Sequence, residues 1–185
     1  MRIIGGSLKG RKIIAPKNLP VRPTTDQAKE SLFNVLNSKF DLDVFDVLDL
    51  FSGTGNISLE FLSRGVNSVT SIDANFNCFQ FQKKTKQQYN LDNYFPYKGD
   101  VFRALKSVKK QFDVIFADPP YQLKNIQDLP DFILSFNLLK PGGVLIVEHG
   151  KETTYEHPHL IEHRKYGNVN FSFFDPENTS KTGNT

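Results

Sequence analysis

The sequence predicts a single α/β domain on a central, mostly parallel sheet, and three observations carry that prediction. From Phe45 onward, apolar strand-like runs alternate with helical stretches, the pattern of a parallel sheet covered by helices on both faces. The first run ends in a glycine turn, and the last two are joined by Gly167-Asn168 as an antiparallel hairpin. A chain of 185 residues with a hydrophobic fraction of 38% can bury one compact core.

In chain order, Arg2 to Ala15 reads as two short β runs, Arg2-Ile3-Ile4 and Arg11-Lys12-Ile13-Ile14-Ala15, separated by Gly5, Gly6 and Gly10. Arg2, Lys9, Arg11, Lys12, Lys17 and Arg22 all precede the first acidic residue, Asp26, so this is a basic hairpin arm although the whole chain carries only +3. Thr24 with Gln27 three residues later is a capping-box pattern, and it opens a helix with Leu32, Phe33, Val35 and Leu36 at helical spacing. Strands are expected at Phe45 to Phe51, Ser68 to Asp73, Tyr94 to Lys98, Phe112 to Ala117 and Gly143 to Glu148. Helices are expected at Asn56 to Arg64, Asn75 to Tyr89, Val101 to Lys109 and Leu129 to Asn137. Ile161 to Tyr166 and Val169 to Phe174 form the closing hairpin at the sheet edge, which also accounts for Phe171, Phe173 and Phe174. The expected organisation is an arm at 1–25, a catalytic domain at 26–175 and a polar, disordered tail at 176–185.

A single cysteine, Cys78, excludes an internal disulfide and a cysteine-based zinc site. No apolar run approaches the roughly 20 residues that span a bilayer, and only Ile3 and Ile4 stand where a signal peptide has its apolar stretch. A soluble, cytoplasmic protein is expected. His149, His157, His159 and His163 match no ligand spacing, so they read as a polar loop and no metal is expected.

The densest local signal is Val47-Leu48-Asp49-Leu50-Phe51-Ser52-Gly53-Thr54-Gly55-Asn56, a buried strand running through a glycine turn into a helix. Glycines at 53 and 55 let a backbone approach a ligand where a Cβ would collide. Ser58 stands where a dinucleotide fingerprint has its third glycine, which disfavours a nicotinamide or flavin enzyme. Asp73 ends the second strand near the spacing at which a carboxylate accepts from both ribose hydroxyls, and Asp100 with the Val101 backbone follows the third strand, within reach of an adenine edge.

Asp118-Pro119-Pro120-Tyr121 follows the fourth strand and is the most specific motif. Adjacent prolines lock their φ angles and remove two N–H donors, leaving a stiff loop of acceptors. An amino group conjugated to a base ring is a poor nucleophile. Hydrogen bonds from its protons to Asp118 and to the Pro119 carbonyl favour a pyramidal nitrogen, and Tyr121 stacks on the base. The matching methyl donor is S-adenosylmethionine, with catalysis from in-line alignment and no metal. Its contacts are expected from Asp49, Phe51, Ser52, Gly53, Thr54, Gly55, Asp73, Asp100, Val101 and Asp118, with Asp118 to Tyr121 catalytic.

With these motifs the chain resembles the RsmD family of bacterial small-subunit (16S) ribosomal RNA guanine-N2 methyltransferases. The resemblance runs from Arg2 to Phe174 and rests on Met1-Arg2-Ile3-Ile4-Gly5-Gly6, Leu8 to Lys12, Arg22-Pro23-Thr24-Thr25-Asp26, Leu48 to Gly55, Leu62-Ser63-Arg64-Gly65, Asp118 to Tyr121 and Arg164-Lys165-Tyr166-Gly167. It implies a Rossmann-like class I S-adenosylmethionine-dependent methyltransferase fold and methylation of one guanine N2 in an assembled or assembling small subunit. It also places Arg22, Thr24 and Thr25 near the active-site mouth and Arg2, Lys9, Arg11 and Lys12 on RNA phosphates. Asp73 departs from the family's more usual Glu and still suits a ribose.

Two competing readings use the same residues. The Pro-Pro-Tyr loop suits adenine N6 equally well, although a DNA adenine methyltransferase usually needs extra sequence for target recognition. A non-catalytic RNA-binding assembly factor is opposed by the intact Asp118 to Tyr121 loop. With no large recognition domain, a monomer is expected.

Overall fold

The computed structural model describes residues 1–16, 19 and 24–178. Arg22 and the tail beyond residue 178 lie outside the described residues. The chain forms strands β1 (Asp46–Leu50), β2 (Ser68–Asp73), β3 (Tyr94–Lys98), β4 (Phe112–Ala117), β5 (Leu139–Gly150), β6 (Leu160–Tyr166) and β7 (Val169–Phe174). The α-helices are α1 (Asp26–Lys39), α2 (Asn56–Ser63), α3 (Phe76–Gln88), α4 (Val101–Ala104) and α5 (Leu129–Leu134).

The sheet order is β3-β2-β1-β4-β5-β7-β6. The first five strands are parallel, and β7 runs antiparallel between β5 and β6. Reversal of strand order at β1 and β4 opens the crevice in which open α/β sheets bind ligands. One sheet face buries Val47, Val69, Phe116, Ile146 and Phe171 against α1, α2 and the N-terminal segment. The other buries Leu48, Ile115, Leu145 and Phe174 with Leu105, Leu129 and Ile133. Phe171, Phe173 and Phe174 are all core residues.

Several elements differ from the sequence expectation for local reasons. Thr25, not Thr24, caps α1, its hydroxyl accepting from the Ala28 N–H, because the Thr24 hydroxyl donates to Glu148 instead, at 2.7 Å. The helix expected at Val101 to Lys109 is one α-turn continued by a 3-10 turn at Leu105–Ser107. The helix expected at Leu129 to Asn137 stops at Leu134, and Asn137 is left-handed with φ 51°. β5 starts earlier and ends later than Gly143 to Glu148. Its extension carries His149 into the core rather than into a polar loop: His149 is fully buried, with Nε2 2.8 Å from the Ser172 hydroxyl. Among the described residues no His, Cys, Asp and Glu cluster could hold a metal ion.

The two N-terminal runs pair antiparallel through the Arg2–Lys12 bridge, with the Ile3 N–H donating to the Arg11 carbonyl at 3.0 Å and the Ile13 N–H to the Met1 carbonyl at 2.9 Å. The paired segment docks onto the body. Ile3 and Ile13 are buried, and the Ile4 and Gly5 N–H groups donate to the Glu60 carboxylate at 2.9 and 2.8 Å. Gly6 has φ +73°, and a Cβ there would stand 1.7 Å from the Ser63 carbonyl oxygen, so only glycine lets this turn lie on α2. Beneath it, fully buried Lys29 donates to the Arg2 carbonyl at 2.6 Å and to Asn56 Oδ1 at 2.8 Å, and pairs with Glu60 at 3.2 Å.

Candidate active site

Parallel register brings the ends of four strands to one level. Leu50 pairs with Ile72 on one side and Ala117 on the other, and Ala117 pairs with Val147. The residues that follow, Phe51, Asp73, Asp118 and Glu148, therefore meet at the carboxyl edge, where they line a cavity of about 350 Å³. Thr24, Thr25, Asp49, Ser52, Gly53, Thr54 and Asn56 also line it, as do Pro119, Pro120 and Tyr121.

The β1–α2 turn forms one wall. Phe51 is left-handed, φ 56°, a conformation that costs a non-glycine residue about 1 kcal/mol or more. The surrounding bonds impose it. Gln82 of α3 donates to the Gly53 carbonyl at 2.6 Å and to the Ser52 hydroxyl at 3.0 Å, while its own Oε1 accepts from Ser71 at 2.6 Å and Tyr94 at 2.8 Å. Gly55 has φ +77°, and a Cβ there would lie 2.5 Å from the Tyr94 hydroxyl. The Gly55 requirement thus comes from a buried tyrosine under the turn, not from a ligand above it. The Gly53 N–H donates to Asp73 Oδ2 at 2.7 Å, and the Asn75 N–H to Oδ1 at 2.8 Å, which orients the Asp73 carboxylate at the cavity wall.

The Asp118-Pro119-Pro120-Tyr121 loop also lines the cavity, fixed to β1 by the Asp118 N–H donating to the Leu50 carbonyl at 3.2 Å. The Tyr121 ring is 45% exposed at the rim. It lies beside Gly150, where a Cβ would stand 3.9 Å from the ring.

Asp49, Asp73, Asp118 and Glu148 put four carboxyl groups around one small cavity. Burial, with Asp73 and Glu148 adding to it, pushes Asp49 up to about 7 although Ser58 donates both its N–H and its hydroxyl to the carboxylate. Burial, then Glu148 and Asp49, raises Asp118 well above the usual carboxylate range. The folded protein therefore holds the Asp49 proton between about pH 4 and pH 7, where the unfolded chain has lost it. Asp49 thus contributes stability that is present at low pH and lost as pH rises through that window. Asp49→Asn is expected to gain stability relative to the parent as pH goes from about 5 to 8; a melting difference that stays flat across the range overturns the assignment.

Not every expected contact belongs to the cavity. Asp100 is exposed and caps α4 by accepting from the Arg103 N–H at 3.0 Å, and Val101 is buried in the core; neither lines the cavity. Arg2, Lys9, Arg11 and Lys12 lie outside it. Arg2 pairs with Asp26 at 3.2 Å, and Arg11 sits over the Tyr89 ring. Thr24 and Thr25 do line it, whereas Asn56, Asn75, Cys78 and Glu148 are lining residues that the sequence reading did not single out. For Glu148 a signal existed: it ends the fifth strand expected from the sequence, as Asp73 ends the second.

Known proteins resemble this chain over most of its length. Residues 1–175 match the family described as Conserved hypothetical protein 95. YlbH of Bacillus subtilis is 36% identical over 156 residues, 82% of this chain and 84% of its own. Ribosomal RNA small subunit methyltransferase D of Escherichia coli K12 is 31% identical over 148 residues, 80% of this chain and 71% of its own. The solved structure of yhhF from Escherichia coli superposes with a TM-score of 0.80 at 27% identity, covering 94% of this chain and 96% of that one. SMU.776, solved in complex with SAH, shares the fold with a TM-score of 0.63 at 17% identity, over 80% of this chain and 48% of its own.

Proposed function

Since the chain belongs to the RsmD family, we propose that it transfers a methyl group from S-adenosylmethionine to the exocyclic N2 amine of one guanine in small-subunit ribosomal RNA. The observation that carries this reading is the Asp118 to Tyr121 loop, which lines the same cavity as the β1–α2 turn. Relatives of similar length act on small-subunit rRNA by name, and the fold is that of class I S-adenosylmethionine-dependent methyltransferases.

The residues present fit this methyl donor. It carries a sulfonium and an ammonium, and the cavity carries four carboxyl groups whose mutual repulsion and burial a cation relieves. Asp73 would take the ribose hydroxyls, with Asp49, Phe51, Ser52, Gly53 and Thr54 around the rest of the donor. When bound, it supplies a methyl on a good leaving group. Asp118 and the Pro119 carbonyl accept from the target amine, the Pro-Pro geometry keeps these acceptors still, and Tyr121 at the rim stacks on the extruded base. The departing sulfur would keep the electrons of its bond to the methyl, and Asp118, already accepting from the amine, would take the proton that the nitrogen loses.

RNA would approach across the N-terminal segment. Lys12 and Lys84 line a second groove of about 620 Å³ between that segment and α3, and α3 also supplies Cys78 to the first cavity. Lys9, Arg11 and Lys12, with Arg2 and Arg22, would then contact phosphates. We place the substrate in an assembled or assembling subunit and the enzyme in the cytoplasm as a monomer. Among the described residues no helix is long and apolar enough to cross a membrane.

Transfer of labelled methyl to unmethylated small subunits, protein-free rRNA and DNA, followed by digestion, tests the proposal. The expected result is label on guanine N2 of the subunit rRNA. Label on DNA adenine moves the assignment to adenine N6, and no label on any substrate points to a binding factor.

A further inference from the structure

Glu148 lines the cavity with the other three carboxyl groups, and the reaction just described gives it no contact of its own with the target base. It is 3% exposed, it lines the cavity, and the strand register sets it beside Asp118: Ala117 pairs with Val147, so the next residue on each strand points to the same face. From the far side, the Thr24 hydroxyl donates to Glu148 Oε2 at 2.7 Å and fixes the carboxylate's orientation. That bond joins residues 124 apart in sequence. It ties the N-terminal segment to the catalytic edge and explains why Thr24 gives up the cap of α1 to its neighbour.

We propose that Glu148, oriented by Thr24, selects guanine by accepting the N1–H of the target base while Asp118 and the Pro119 carbonyl take the adjacent amine. This rests on the guanine-N2 reading and deepens it. The chemistry is discriminating. Adenine and cytosine each present a ring nitrogen lone pair beside the exocyclic amine, and a carboxylate, which only accepts, repels it. Guanine alone among the amino-bearing bases presents a ring N–H beside the amine. With the donor's positive charge beside them to hold both groups ionised, Asp118 and Glu148 would form a wall of acceptors that matches the donors of the guanine edge. Burial sharpens the choice, because a mismatched polar group there has no water to turn to.

The test uses small subunits reconstituted with rRNA that carries guanine, 2-aminopurine or adenine at the labelled position. 2-Aminopurine keeps the N2 amine and lacks the N1 proton and the O6 carbonyl, so the change in its discrimination on altering Glu148 isolates the N1 contact. The full-length parent enzyme is expected to prefer guanine to 2-aminopurine by roughly a hundredfold or more in kcat/KM. In Glu148→Gln, whose amide can donate to the bare N1, that ratio is expected to shrink by about tenfold or more. Cofactor binding should be retained. Thr24→Val keeps the carboxylate and the local shape, shifts the ratio in the same direction, and serves as the readout if Glu148→Gln does not fold. Equal losses on guanine and 2-aminopurine, with the ratio unchanged, would mean a merely structural role and overturn the proposal. If the parent enzyme places no label on guanine N2, the guanine reading itself fails, and that outcome is visible before any variant is made.

Discussion

Replacing Asp118 by alanine is expected to lower kcat on subunit rRNA by at least about a hundredfold, the scale for losing an oriented polar contact to the reacting group. Affinity for S-adenosylmethionine should change by no more than about threefold, because Asp49, Asp73 and the β1–α2 turn remain. Stability should not fall. Burial and the neighbouring Glu148 and Asp49 disfavour the Asp118 carboxylate in the ligand-free protein, so its removal relieves repulsion rather than breaking a support. A kcat effect without a melting effect is thus the signature of a chemical role. Single-turnover transfer, cofactor titration and thermal melting of Asp118→Ala and Asp118→Asn check it. Near-parental single-turnover rates in the alanine variant would remove Asp118 from the reaction.

The largest effect on folding is expected at Glu60, which faces the N-terminal segment and not the cavity. Its carboxylate is fully buried and receives five donors: the Ile4 and Gly5 N–H groups, the Arg64 Nε and Nη2 groups, and Lys29 Nζ. Glu60→Ala leaves Lys29 fully buried with no carboxylate partner and strands two backbone donors. Breaking a buried pair from one side costs about 3–5 kcal/mol, which in a chain of this size lowers the melting temperature by about 10 °C. Replacing both partners, Lys29→Met with Glu60→Leu, should recover only part of the loss. The Lys29–Glu60 pair is then gone from both sides, but the Arg64 guanidinium and the Ile4 and Gly5 N–H groups still lack their acceptor. A double variant as stable as the parent would show that those backbone bonds contribute nothing, and a single variant that melts within about 2 °C of the parent would refute the buried-pair account.

The N-terminal segment carries more than its residue types show. Its six basic residues read as an arm for RNA. In the fold, Arg2 is engaged by Asp26, Arg11 covers Tyr89, and the backbone between them is fastened to α2. Thr24, just before α1, donates to Glu148 and so helps to form the wall of the site.

What the sequence by itself determined is local. The bounds of β2, β3, β4 and β7 follow from apolar runs between turn residues. The glycine turn and the Pro-Pro loop are legible because their backbone geometry is written into consecutive residues. Tertiary structure alone decided which side chains meet. Asp100 follows a strand as Asp118 does, yet it caps its own helix outside the cavity. Gly55 is required by Tyr94, which lies 39 positions later and packs under the turn. Glu148 faces Asp118 through strand register, and Lys29 finds Glu60 through helix packing. The physical reason is the same in each case: propensity and pattern act over a few residues, whereas register and burial are settled only when distant segments have displaced water from between them.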